Sequence, residues 1–268
     1  MKIALAQIDL KSGDVTENVS RMVAYIKKAK EAGHEIVILP EMCDTGYDMP
    51  EILRTACDWS RGAVPQLRQT AKELAIGVIA GVSERVGEDV FNAVVCIDRH
   101  GEIVGTYRKT HLITAEPMRE HEYLKAGSAL GIIRLEGHVF GLMTCYEIRF
   151  PEIARALALS GAEILVIPAA WPLVRLMHWR TLVLARAIEN QVYVAATGRL
   201  GNDTGVPFAG TSMIVGPYGN LMASGTQVHE GIISAEIDFE FIQTVRSEIK
   251  VHQDRREELY QPVVGSPA

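Results

Sequence analysis

Two apolar periods alternate along the chain. Lys2–Ile8 is an apolar run of strand length. Asp14, with Glu17 three residues on, matches a helix-capping pattern, and Val19, Met22, Val23 and Ile26 then recur at helical spacing. Ile36–Leu39 is a continuous β-branched-rich run that ends at Pro40-Glu41. Ile76–Val82 follows a helix-like stretch. Phe91–Asp98 and Ile103–Tyr107 flank Arg99-His100-Gly101, a hairpin signal. In the second half, Phe140–Thr144 leads to Cys145, a helix is predicted from Pro151, and Ile164–Ile167 ends at Pro168. Leu176, Trp179, Val183 and Ala187 mark the next helix, and Val192–Ala196, Thr211–Val215 and Ile232–Ile237 read as strands.

The halves resemble each other. Glu35-Ile36-Val37-Ile38-Leu39-Pro40 reads like Glu163-Ile164-Leu165-Val166-Ile167-Pro168, each after a helix and a small-residue link. Each half later has a hairpin, the second turning at Gly216-Pro217-Tyr218-Gly219. The pattern predicts an α/β fold with an internal pseudo-two-fold: a two-sheet α-β-β-α sandwich with one layer pair per half. No linker or low-complexity segment divides the chain, so a single domain is expected over 1–249. A C-terminal tail, 250–268, is rich in charge and then in Pro and Gly.

Composition narrows the class. With 48% hydrophobic and 22% charged residues among 268, the chain is neither disordered nor fibrous. A net charge of −6 argues against a nucleic-acid or anionic-membrane partner, while leaving room for a small anionic substrate held by local arginines. The four cysteines, Cys43, Cys57, Cys96 and Cys145, form no CxxC pair and no metal-like spacing with histidine. They are expected as free thiols in a reducing cytoplasm, with no metal or organic cofactor. The longest apolar run, Ile164 to Val174, is interrupted by Pro168 and Pro172 and is about half of the ~20 residues that cross a bilayer. The first residues lack the apolar core and cleavage site of a secretion signal.

Three residues stand where chemistry gathers in α/β sheets, at strand ends. Cys145 follows the strand Gly141-Leu142-Met143-Thr144 and precedes a helix start at Phe150-Pro151. At such a junction a thiol is expected to be exposed, with backbone N–H groups able to stabilise a thiolate and an oxyanion. The competing reading is a buried inert thiol. Glu41 directly follows Pro40; a carboxyl beside so apolar a strand is partly desolvated, which suits acid–base work, although a capping or loop carboxylate is the plain alternative. Lys109 follows Ile103–Tyr107, where a solvated lysine is the default. The histidines offer no Cys–His dyad, and Arg186, Glu189 and Asn190 read as structural.

Together, LPE at Leu39–Glu41, YRKTHL at Tyr107–Leu112, GLMTCYEIRFPE at Gly141–Glu152 and ARAIENQ at Ala185–Gln191 resemble the nitrilase superfamily of carbon–nitrogen hydrolases, over nearly the whole chain. The resemblance implies a Glu–Lys–Cys triad: Glu41 as general base, Lys109 as electrophilic helper and Cys145 as nucleophile, with the Tyr146 backbone N–H facing the oxyanion. A further family carboxylate falls seven residues before a glycine; here that is Glu120, before Gly127, with Glu116 and Glu122 as neighbours. Tyr146-Glu147-Ile148-Arg149-Phe150 is similar to the omega-amidase branch and related short amidases. There the arginine four residues past the nucleophile, here Arg149, grips a substrate carboxylate; an ion pair with Glu147 or Glu152 is its competing role. Trp171 and Arg175 lie where that branch lines its acyl pocket, Arg175 alternatively being solvated. Thr197-Gly198-Arg199 and Ala169-Ala170-Trp171-Pro172 depart from the branch and leave the exact amide open. The implied function is a cysteine amidase that hydrolyses a small aliphatic amide, expected to be the omega-amide of a short dicarboxylic or 2-oxo acid such as 2-oxoglutaramate, through a thioester. Nitrilase or N-carbamoyl-amide hydrolase activity and a non-catalytic binding role are the alternatives. The resemblance also implies a homodimer, or a higher homo-oligomer, packed helical face to helical face, with the tail reaching across the partner.

Overall fold

The structure is a computed structural model and describes residues 1–203 and 205–260. The first half runs β1 (Lys2–Gln7), α1 (Val15–Glu31), β2 (Ile36–Leu39), α2 (Met49–Thr55), α3 (Ala63–Leu74), β3 (Gly77–Val86), β4 (Asp89–Ile97) and β5 (Ile103–Arg108). The second runs β6 (Gly131–Leu135), β7 (His138–Leu142), α4 (Pro151–Leu159), β8 (Ile164–Ala169), α5 (Leu176–Asn190) and β9 (Tyr193–Gly198). A small hairpin follows, β10 (Asn202–Asp203) and β11 (Val206–Pro207), and then β12 (Met213–Val215), β13 (Leu221–Ser224), β14 (Gly231–Glu236) and α6 (Phe241–Glu248). Asp14 caps α1 as expected, its side chain accepting from the Glu17 N–H at 3.2 Å.

Two six-stranded sheets form, ordered β14-β1-β2-β3-β4-β5 and β13-β12-β9-β8-β7-β6. In the first, β2 pairs in parallel with β1 and β3; in the second, β8 pairs in parallel with β7 and β9. The two Glu-apolar-Pro runs, around β2 and β8, therefore occupy equivalent central positions. One expectation needs correction. The layers are not cleanly one per half, because β14 from the end of the chain closes the first sheet against β1.

Period-two burial explains the unbroken apolar runs. Ile36 and Ile38 face Ile164, Val166 and Phe140 between the sheets, whereas Val37 and Leu39 face Met22, Ile26 and Leu67 of α1 and α3. On the second sheet, Leu165 and Ile167 pack outward on Trp179 and Val183 of α5 and Leu157 of α4. The result is helix, sheet, sheet, helix. α2, β6 and α6 were not expected from the pattern; each is short, and α6 is only eight residues long. The tail, as far as Tyr260, begins against the end of its own α5: the His252 ring lies 3.0 Å from the Asn190 carbonyl, and just before the tail the Ile249 carbonyl accepts from the Gln191 side-chain amide at 2.7 Å. Residues 261–268 of the expected tail lie outside the described residues. Among the described residues no helix is long and apolar enough to cross a membrane.

Candidate active site

Three strand ends converge. Glu41 follows β2, Lys109 follows β5 and Cys145 follows β7. A loop after β5 adds Glu120. All four are buried, Cys145 being 1% exposed. The Lys109 Nζ lies 3.0 Å from Glu41 Oε1 and 2.9 Å from the Glu120 carboxylate. Glu116 and Glu122, the neighbouring acids, pair with Arg119 on the surface instead. The Glu41 carboxylate is close enough to act on the Cys145 thiol through its charge. Cys145 itself holds φ +46°, in the left-handed region that few non-glycine residues adopt, and Met42, just past Glu41, holds φ +47°.

Two glycines let the backbone close around this cluster. A Cβ at Gly81 would sit 2.6 Å from the Pro40 carbonyl oxygen and 2.7 Å from the Glu41 Cα. A Cβ at Gly127 would sit 2.1 Å from the Arg108 carbonyl oxygen, while the Gly127 N–H donates to the Lys109 carbonyl at 2.8 Å. The Glu120…Gly127 spacing thus engages both ends of Lys109, the ammonium by Glu120 and the backbone by Gly127.

Polar groups hidden from sequence reasoning complete the cluster. The Asn92 side-chain amide donates to Glu41 Oε1 at 2.7 Å and to Glu120 Oε1 at 3.1 Å. The Tyr47 hydroxyl donates to Glu120 at 2.7 Å, and the Ile113 N–H to its other oxygen at 2.9 Å. The Ala170 N–H donates to Glu41 Oε2 at 2.8 Å. Asn92 carried a readable signal: it is a lone amide inside the buried run Phe91–Val95, and a buried amide needs partners. Tyr47 and the Ala170 N–H carried none.

The electrostatics follow from burial. Burial alone opposes charge on both Lys109 and Glu120. Glu120 and Glu41 nevertheless hold the ammonium above its usual range, and Lys109 holds Glu120 below the usual carboxylate range. Burial, then the Glu41 charge, push the Cys145 thiol well above its ordinary value, and Lys109 only partly offsets them. The expected exposed, thiolate-like cysteine is therefore corrected: the resting group is a buried thiol, held neutral by burial and by the nearby Glu41 charge. Cys145 does stand at a strand end, but the segment after β5 and the turn between β8 and α5 cover it. In this arrangement the thiol can lose its proton to Glu41 only as it attacks, which is general-base chemistry.

A cavity of about 260 Å³ opens over Cys145, walled by Tyr146, Arg149, Trp171, Arg175, His178 and Met118 among others. Arg149 lies over the Trp171 ring at 4.7 Å, and two of its nitrogens lie 3.4 Å from His178 Nδ1. Among the described residues no carboxylate pairs with it, so the ion pair with Glu147 or Glu152 does not form. Burial and the nearby Arg175 guanidinium pull its pKa down. Trp171 is buried and donates through its indole N–H to the Arg175 carbonyl at 2.8 Å. Arg175 stands in the short turn before α5, at the cavity wall rather than out on the helix. Arg186, by contrast, is structural as expected: it donates to the Ile148 carbonyl at 2.9 Å and to Glu189 at 2.6 Å.

The carbon-nitrogen hydrolase family model matches residues 2–247. The chain belongs to the carbon–nitrogen hydrolase family. It is a hydrolase of carbon–nitrogen bonds other than peptide bonds. It is 41% identical over 260 residues to the 2-oxoglutaramate amidase of Bacillus subtilis, covering 96% of this chain and 98% of that one. Among solved structures it superposes on Nit3 of Saccharomyces cerevisiae, a member of branch 10 of the nitrilase superfamily, with a TM-score of 0.88, 28% identity and 96% of each chain covered. It also superposes on an amidase mutant from Nesterenkonia, with a TM-score of 0.86, 25% identity and 97% and 95% of the two chains covered. That structure carries the acetamide moiety of fluoroacetamide added covalently at its active-site cysteine. These likenesses bear out the two-sheet nitrilase-like fold read from the sequence.

Proposed function

We propose that this carbon–nitrogen hydrolase is a cytoplasmic cysteine amidase. Its substrate is the omega-amide of a short dicarboxylic or 2-oxo acid, such as 2-oxoglutaramate, and its products are the acid and ammonia. The observation that carries the substrate reading is Arg149, a guanidinium without a carboxylate partner among the described residues, facing the cavity that holds Cys145. A substrate carboxylate supplies the missing anion. The amidases among its relatives, including one that acts on 2-oxoglutaramate, support the same reading.

In the proposed reaction the Cys145 sulfur attacks the amide carbon while its proton passes to Glu41. The carbonyl π electrons move to oxygen, and the Lys109 ammonium and the Tyr146 N–H stabilise that oxyanion, each worth about 3 kcal/mol if aligned. Glu41 returns the proton to the nitrogen as the C–N bond breaks and ammonia leaves. A thioester remains. Glu41 then takes a proton from water, the hydroxyl adds to the thioester carbon, and the carboxylic acid departs as the thiol is restored. Glu120 keeps Lys109 charged and oriented, and Trp171 and Arg175 shape the acyl pocket.

Ammonia release from a panel of amides, nitriles and carbamoyl compounds tests this reading. Omega-amides of short acids should be the best substrates; preferred turnover of nitriles or carbamoyl compounds would replace it with one of those activities. Arg149→Met is expected to raise KM for acidic amides roughly tenfold to a hundredfold, from the loss of a charge-assisted bidentate bond. Neutral aliphatic amides should change much less, and Arg149→Lys should recover only part of the loss because a point charge lacks the planar fork. Equal weakening of both substrate types would make Arg149 structural.

The α5 side of the molecule leaves Val174, Met177 and Ile188 exposed, at 86%, 69% and 52%. This supports a homodimer packed through that helical face, to which the tail of the partner contributes. Sedimentation at micromolar concentration should give twice the monomer mass; a monomer rules the dimer out.

A further inference from the structure

Glu147, two residues past the cysteine, is fully buried, and among the described residues no lysine or arginine pairs with it. Among the described residues the one basic nitrogen within 4.0 Å is His111 Nδ1, at 3.7 Å. It is surrounded by donors instead. Its Oε1 accepts from the Tyr107 hydroxyl at 2.6 Å, the Thr110 hydroxyl at 2.7 Å, the Thr110 N–H at 2.8 Å and the His111 N–H at 3.1 Å. Its Oε2 accepts from the Thr144 N–H at 2.7 Å. Four donors on one oxygen exceed what the two lone pairs of a neutral amide oxygen serve well, so the site is built for an anion.

The donors fall into two groups. Tyr107, Thr110 and His111 flank Lys109 at the end of β5, in the first sheet. Thr144 immediately precedes Cys145 at the end of β7, in the second sheet. The Glu147 N–H also returns to the Thr144 carbonyl at 3.0 Å, closing a tight turn around the left-handed Cys145. A non-glycine residue persists in that region only where its surroundings over-determine it. One carboxylate thus spans the seam between the sheets, and it fixes both the backbone that bears the thiol and the backbone that bears the ammonium.

We propose that Glu147 is a positioning residue for amide hydrolysis: it holds Cys145 in its left-handed conformation and in register with Lys109, so that sulfur and oxyanion donor approach one carbonyl from fixed directions. This rests on the proposed roles of Cys145 and Lys109. The groups that donate to its carboxylate, on Tyr107, Thr110, His111 and Thr144, are not among the residues that wall the cavity around Arg149, so KM should depend on it little.

The test is Glu147→Gln, which keeps the shape but sets an NH2 group against donors. On an omega-amide substrate the expected result is a kcat lowered about a hundredfold, the cost of an ångström-scale misplacement, at unchanged KM. Alkylation of Cys145 by iodoacetamide should slow in parallel. Tyr107→Phe, which removes a single donor from the Lys109 side, should give a smaller loss of kcat, again at unchanged KM. Wild-type kcat in folded Glu147→Gln overturns the proposal, as does a KM rise that accounts for the whole loss. If Glu147→Gln fails to fold, Tyr107→Phe decides, and an unchanged kcat there overturns it. Cys145→Ala in the same assay separates the two levels. Activity in that variant sinks the reading of the site itself, whereas an inactive Cys145→Ala beside a fully active Glu147→Gln sinks only the positioning role.

Discussion

Cys145→Ala is expected to abolish turnover, by about 10⁴-fold to 10⁶-fold, the range seen when a nucleophile is removed from a preorganised site. The fold should survive. The sulfur borders the substrate cavity, so its removal enlarges an existing space rather than opening a void inside the packed core. The backbone at this position is held by the Thr144–Glu147 turn and not by the side chain. Cys145→Ser should lose nearly as much. Burial and the Glu41 charge already push the thiol well above its usual range, and a hydroxyl starts from a far weaker acid in the same environment. The measurement is ammonia release by each purified variant beside its melting temperature. Substantial turnover at the wild-type melting temperature removes Cys145 from the chemistry.

What the sequence disclosed and what it hid divide along a physical line. Glu41, Lys109 and Cys145 were legible because each directly follows an apolar run whose strand character is plain, and strand ends in these sheets meet at one edge. The partners that tune them were not, because they arrive through tertiary contacts: Tyr47 from the loop before α2, the Ala170 N–H from the end of β8. Arg199 shows the same limit. In the sequence it was merely a departure from related chains. In the structure its guanidinium is completely buried, lies over the Phe208 ring at 4.7 Å and pairs with Asp203 at 2.5 Å. Asp203 also accepts the Tyr47 N–H at 2.7 Å. The departure thus props the loop whose tyrosine reaches Glu120. The membership of β14 in the first sheet was equally hidden, since a six-residue strand carries no mark of which edge it will join.

Lys109→Met is expected to cost both activity and stability, and its stability should respond to pH in the opposite sense from that of the wild type. Turnover should fall by several orders of magnitude, because the variant loses an oxyanion donor and the charge that organises both acids. The stability effect follows from burial. Glu41 and Glu120 lie 3.0 and 2.9 Å from the one ammonium between them, all three fully buried. Removing one partner of such a cluster leaves uncompensated charge and costs about 3–5 kcal/mol. In the wild type, Lys109 depresses Glu120 below its unfolded value. The stability this contributes is fully present above the unfolded carboxylate pKa of about 4.3 and is lost as pH falls through the depressed folded value. Without Lys109, the burial that already opposes ionisation dominates and the folded pKa rises above the unfolded one. The variant then binds more protons folded than unfolded between the two values, so it gains stability as pH falls from neutral toward about 5. Melting temperature against pH should therefore rise on acidification for Lys109→Met over a window where the wild type does not gain. Adding Glu120→Gln to Lys109→Met should restore part of the lost stability at neutral pH, since one of the two unpaired charges is gone, without restoring turnover. If Lys109→Met matches the wild-type melting temperature at neutral pH, with a parallel pH profile, the buried carboxylates do not depend on this lysine for their charge.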